Sequence, residues 1–291
     1  MKDKFFIRLL ERWILRCYNP FDIHIFGIFM QTTFDPTQFG ELEHIQKKES
    51  SFSMELYLDH LKSHLSKITR FDFLSSSYLL SAFTHKSFLN ENREFHHDDY
   101  ERLEFLGDSL LNTLVTIKLF DKYPEGSEGE LSRMRSAIVN QNTLATLCSF
   151  FGLHQFILLG AGEMRRETYL RESIQSDIFE AILAAIYLSS DFEKLQFVFN
   201  EILLNYSSFQ VDIFSKEYAQ NFDPKTTLSE LSVKLYQQTP VYHSKRLGQE
   251  EFEVGVYLKG NCLYTLTENS KKEAEKKLAK IVLDNKLYKE I

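Results

Sequence analysis

The run Glu101-Arg102-Leu103-Glu104-Phe105-Leu106-Gly107-Asp108-Ser109 carries three acids at positions i, i+3 and i+7. On a helix those positions share one face. Leu103, Phe105, Leu106, Leu110 and Leu111 lie between and beyond them, so the acids border packed surface. Like charges one turn apart cost roughly 0.2–0.5 kcal/mol, and more once water is withdrawn. A cation held between them removes that cost. An acidic triplet on a helix is ordinarily a solvated stripe, however, and the run taken by itself leaves both readings open.

The surrounding pattern is helical. The helix holding the run extends from about Tyr100 to Tyr123, where Pro124 ends it. Upstream, Leu58, Leu61, Leu65 and Ile68 make one apolar face. Downstream, Glu128 to Phe151 reads as one or two helices stopped at Gly152, and Leu159 to Glu172 as a loop. Ser173 to Leu188 is an apolar helix, and Asp191 to Tyr206 is another.

Two more acidic spots stand in this region. Asp177-Ile178-Phe179-Glu180 opens the apolar helix in a pattern close to a capping box, and alone it reads as a cap. Glu128-Gly129-Glu130 also stands at a helix start and has the same plain explanation. The combination is more informative. Two acidic pairs on two crossing helices would supply the oxygen ligands that hard divalent cations require. Paired cations of that kind activate water and stabilise the leaving oxygen of a phosphodiester.

Past a linker expected at 207–222, the periodicity changes. Asp223-Pro224 is a helix start, with Asp as N-cap and Pro at the first helical position. Val241–Leu247, Glu251–Leu258 and Cys262–Thr267 read as strands, the last two joined by a turn at Lys259-Gly260-Asn261. A final helix opens at Ser270-Lys271-Lys272-Glu273. The order is α-β-β-β-α. Lys271 and Lys272 oppose the dipole of that helix, a cost that a bound phosphate would reverse.

Composition sets the bounds. Among 291 residues, 43% are hydrophobic, enough for a real core. Phe is abundant at 26 while Gly and Pro are scarce at 11 and 5, which favours aromatic-packed helices over a loop-rich β fold. The net charge of −7 argues against a nucleic-acid partner until it is divided. Residues 223–291 hold 12 Lys and Arg against 10 Asp and Glu, so the excess acid lies in the remainder. Cys17, Cys148 and Cys262 are scattered without zinc spacing, as in a reducing compartment. No stretch reaches the roughly 18 apolar residues of a membrane span. Residues 1–53 form an extension in which Phe5, Phe6, Leu9, Leu10, Trp13, Ile14 and Cys17 recur at helical spacing among Lys4, Arg8, Arg12 and Arg16. Three readings stand side by side: a basic helix contacting a membrane or a protein, an extra helix docked on the body, or an extension upstream of a natural start at Met54.

The run 101–109 resembles the signature helix of the ribonuclease III family. The resemblance extends to Thr84-His85-Lys86-Ser87, to Glu128–Arg135 and to Asp177–Ala181. It implies a mainly α catalytic domain over 54–206, followed at 223–291 by an α+β double-stranded-RNA-binding domain. By the same resemblance the chain is a homodimeric, cytoplasmic endoribonuclease that cuts double-stranded RNA with Mg²⁺ (Mn²⁺ substituting), leaving 5′-phosphates and short 3′ overhangs. Its implied roles are processing of ribosomal RNA precursors and processing or decay of structured mRNA.

The resemblance also assigns residues. Glu104, Asp177 and Glu180 would be metal ligands, and Asp108 and Glu180 catalytic. Glu101 and Glu128 would lie beside the RNA, Glu230 at a minor groove, and Lys271, Lys272 and Lys276 at phosphates. Phe105 would enter the partner subunit. One departure weakens the RNA grip: the loop Leu247–Phe252 is short and acidic and lacks the family's His. A silent RNA-binding or ribosome-associated relative is the rival reading, and the complete acidic set disfavours it.

Overall fold

The computed structural model describes residues 54–71, 77–248 and 251–289. The expected amphipathic segment of the N-terminal extension, with Cys17, lies outside the described residues, as do Gln249 and Glu250. The order is α1 (Met54–Thr69), α2 (Ser77–Ala82), α3 (Lys86–Glu91), α4 (Glu101–Lys122), α5 (Glu128–Ile138), α6 (Gln141–Phe150), α7 (Ala161–Arg165), α8 (Glu172–Ser189), α9 (Phe192–Phe209), α10 (Lys216–Phe222), α11 (Pro224–Tyr236), β1 (Val241–Arg246), β2 (Phe252–Leu258), β3 (Asn261–Glu268) and α12 (Lys271–Asp284). These residues gather into two compact units. One takes the chain through Lys118 together with Val139–Val211, and the other takes Leu119–Ile138 with Asp212–Ile291.

In the first unit α8 is the central element. Ile178, Phe179 and the run Ala181–Ile186 are buried, so this helix is apolar nearly all round, as a helix enclosed by others must be. It packs against α2, α6 and α9, and α9 packs against α1. The buried face of α1 is Tyr57, Leu61, Leu65 and Ile68. Tyr57 takes the fully buried place expected for Leu58, which is only half-buried. Its hydroxyl donates to the Phe156 carbonyl at 2.6 Å. Gly152 adopts φ 65° just after α6 and ends that helix as expected.

In the second unit the strands form an antiparallel sheet in the order β1-β2-β3. Lys259 and Gly260, both with positive φ, make the β2–β3 turn. Val254, Val256 and Leu258 point inward from β2 against Leu228 of α11 and Ala274, Leu278 and Val282 of α12. The Asp223 carboxylate accepts from the Thr226 N–H at 3.2 Å with Pro224 at the first helical turn, which fixes where α11 begins. The α-β-β-β-α order is as expected. The stretch expected as a linker is largely helical, since α9 runs on to Phe209 and α10 fills Lys216–Phe222. The Ser215 hydroxyl caps α10 by accepting from the Tyr218 N–H at 3.0 Å, a local signal that outweighed the stretch's polar composition.

Candidate active site

Helix α4 starts where its acids suit it, with Glu101 and Glu104 in the first turn, at the positive end of the dipole. Leu103, Leu111 and Leu114 bury one side of the helix and leave the acids along its margin. Glu101 is exposed and paired with Lys86 at 2.9 Å. Glu104 is half-buried. Asp108 is exposed, and its Oδ1 accepts from the Asn112 side-chain amide at 2.9 Å.

Helix α8 begins at Glu172, after Arg171 as the N-cap residue. Asp177 and Glu180 therefore stand inside the helix, beyond its first turn, and do not cap it. The capping-box reading of that pair fails because the helix begins upstream of it. Both acids are half-buried, between fully buried Ile178, Phe179 and Ala181.

Gly107 brings the two helices together. A Cβ on that glycine would lie 2.0 Å from the Glu180 carbonyl oxygen and 2.4 Å from its carbon. Only a residue without a side chain lets the α4 and α8 backbones approach so closely. The function of Gly107 is absent from the spacing argument, although the residue stands inside the decisive run. A glycine in mid-helix, which costs helix stability, was the available signal.

The close approach couples the acids. Burial, followed by the charges of Asp108, Glu104 and Asp177, pushes the Glu180 carboxyl up to about 8. Glu104 is raised by burial and then by Asp177, Glu101 and Asp108. Asp177 is raised chiefly by burial, which a hydrogen bond from Ser176 partly offsets. Two acids from each helix thus share one electrostatic neighbourhood. Among the described residues, no three His, Cys, Asp or Glu side chains converge on one ion position. The donors nevertheless fit a hard divalent cation in chemistry: all are carboxylate oxygens, and Glu104, Asp177 and Glu180 are partly desolvated, so a bound positive charge is what would favour the ionised forms of those three.

The remaining expected residues are distributed as follows. Phe105 is 80% exposed, a large ring that α4 turns away from its own core. Glu128 opens α5, exposed, with its Oε1 accepting from Ser132 at 3.0 Å. The neighbouring Glu130 is a true capping partner: its carboxylate accepts from the Ser127 N–H at 3.1 Å, while the Ser127 hydroxyl accepts from the Glu130 N–H at 3.3 Å. Glu230 is exposed on α11 and engaged by Arg133. Lys271, Lys272 and Lys276 are exposed on α12, and the Lys276 ammonium lies 5.6 Å from the Phe222 ring centroid. Ser270 caps α12 through the Glu273 N–H, at 3.5 Å.

Residues 75–207 match the family model described as Ribonuclease-III-like. Ribonuclease 3 of Actinobacillus pleuropneumoniae serotype 5b is 42% identical over 175 residues, covering 60% of this chain and 71% of that protein. Ribonuclease 3 of Anoxybacillus flavithermus is 36% identical over 214 residues, covering 72% and 88%. Ribonuclease 3 of Aliarcobacter butzleri is 34% identical over 227 residues, covering 76% and 96%. These matches cover most of each relative's own length. The chain belongs to the ribonuclease III family, the metal-dependent endoribonucleases of double-stranded RNA.

Proposed function

We propose that Glu104, Asp108, Asp177 and Glu180 form the cutting centre of this endoribonuclease and that Mg²⁺ is its natural cation, with Mn²⁺ able to replace it. The observation that carries this reading is the contact of Gly107 on α4 with the Glu180 backbone on α8, which gathers acids of both helices and accords with a Glu180 carboxyl pushed up to about 8. Glu104, Asp177 and Glu180 would hold the cation. Bound there, it would supply an activated water and stabilise the leaving oxygen of the phosphodiester. Asp108, solvent-facing and steadied by Asn112, would orient the attacking water.

The rest of the chain fits the same reading. Glu101 and Glu128 would lie beside the duplex. The unit containing β1–β3 would read A-form shape, with Glu230 at a minor groove and Lys271, Lys272 and Lys276 at phosphates. The exposed Phe105 ring would enter a second copy of the chain, so that two centres each cut one strand and leave 5′-phosphates with short 3′ overhangs. We assign 54–206 to the catalytic domain, 207–222 to the connection and 223–291 to the RNA-binding domain. No helix among the described residues is long and apolar enough to cross a membrane. The free thiols Cys148 and Cys262 accord with work in the reducing cytoplasm, on ribosomal RNA precursors and structured mRNA.

The test is a gel assay of uniformly labelled long duplex RNA, with Mg²⁺ or with EDTA, for wild type and Glu180→Gln. Cutting only by wild type and only with Mg²⁺ is expected, with duplex binding retained by the variant. Unchanged cutting by Glu180→Gln would overturn the assignment.

A further inference from the structure

Two of the residues assigned to the RNA are already engaged by other parts of the chain. Glu230 of α11, assigned to a minor groove, is held by the Arg133 guanidinium of α5 in a hydrogen-bonded ion pair. Lys276 of α12, assigned to a phosphate, has its ammonium 5.6 Å from the ring centroid of Phe222 at the end of α10. These four elements belong to one compact unit, in which α5 packs against α10 and α10 against α11. Arg133 and Glu230 meet across a cleft that Lys216, Phe222 and Lys234 also line. Glu130 stands one turn from Arg133 on the same helix, at a spacing that suits an ion pair. Glu130 is committed elsewhere, however, accepting from the Ser127 N–H at 3.1 Å and standing 3.9 Å from the Lys216 ammonium. Arg133 pairs instead with an acid 97 residues along the chain, one that RNA would otherwise use.

We propose that α5 and α10 clasp the RNA-binding face in the RNA-free chain: Arg133 occupies Glu230, Phe222 occupies Lys276, and duplex RNA must displace both. The inference rests on the assignment of Glu230 and Lys276 to RNA. The ion pair is open to water, the Arg133 and Glu230 side chains being 35% and 54% exposed. Pairs of that kind are weak and are screened by salt, so the clasp sets a threshold for binding and not a block. Apparent affinity is the intrinsic affinity reduced by the fraction of chains in the open form. An exposed ion pair supports a reduction of roughly twofold to fivefold.

Arg133→Met removes the charge and keeps an aliphatic stem in the cleft. Binding of the full chain to a labelled duplex in EDTA, followed by fluorescence anisotropy, is expected to tighten about twofold to fivefold at low salt and to lose that gain at high salt. The sign is diagnostic, because removing a cation that touched RNA would weaken binding. In Glu230→Gln the further change Arg133→Met should add nothing. Binding by Arg133→Met no tighter than wild type, or an equal gain with Glu230→Gln in place, would overturn the clasp. Should Arg133→Met lower the unfolding temperature, Phe222→Leu carries the test from the other side: tighter binding that Lys276→Met cancels supports the clasp, and unchanged binding overturns it. The RNA assignment is tested separately, since in the released Arg133→Met chain Glu230→Gln and Lys276→Ala should each weaken binding. If they do while Arg133→Met alone shows no gain, only the clasp falls. If they do not, the RNA assignment falls as well.

Discussion

Gly107 of α4 lies against the main-chain carbonyl of Glu180 on α8, so close that an added Cβ would stand 2.0 Å from that oxygen. Gly107→Ala should therefore test the junction itself. Helix propensity favours alanine by about 1 kcal/mol. The clash is with backbone, which cannot swing aside, and overpacking of this kind costs roughly 1–3 kcal/mol. Sterics should win. Denaturant unfolding should show a net loss of stability, and cutting should fall with it as the two acidic pairs are pushed apart. A variant more stable than wild type would contradict the geometry.

The metal-free protein should lose stability as pH rises. A carboxyl raised in the folded state keeps its proton after the unfolded chain has lost it, so the folded state binds more protons and stability falls with increasing pH. For Glu180 the window runs from the ordinary 4.5 to about 8, with the cost fully present above that. Thermal unfolding in EDTA should show a midpoint lower at pH 8 than at pH 5.5. Glu180→Gln should flatten the dependence, and Mg²⁺ should restore part of the loss at pH 8. A profile for Glu180→Gln as steep as that of wild type would place the titration elsewhere.

Phe105 contributes little to the core of its own subunit, being 80% exposed. Phe105→Ala should leave the unfolding temperature of the isolated chain within a few degrees while shifting sedimentation at micromolar concentration from dimer toward monomer. Cutting should decline with the dimer fraction. A variant that remains dimeric would show that the ring is not the anchor between subunits.

The three lysines of α12 should act on affinity rather than chemistry. Replacing Lys271, Lys272 and Lys276 with Ala should weaken duplex binding and make its logarithmic salt dependence shallower, by roughly one for each phosphate that is no longer neutralised. At saturating RNA the cutting rate should hold, since these side chains have no part in the acidic cluster. An unchanged salt slope would remove them from the interface.

The sequence by itself determined the elements and the donors. Apolar spacing marked α1, α4 and α8, the alternation in Glu251–Leu258 marked β2, and local caps at Asp223 and Ser270 set the starts of α11 and α12, because each of these signals acts within one or two turns of chain. It also named the four carboxylates. Only the tertiary structure decided that the two helices carrying them meet at Gly107. Asp177 and Glu180 read locally as a cap although the expected helix starts at Ser173, and α8, which begins at Glu172, holds them as inner positions. The α4–α8 junction and the bond from the Tyr57 hydroxyl to the Phe156 carbonyl both join residues distant in the chain. Such contacts follow from how helices pack and how closely Gly107 lets them approach, and no local periodicity encodes that distance.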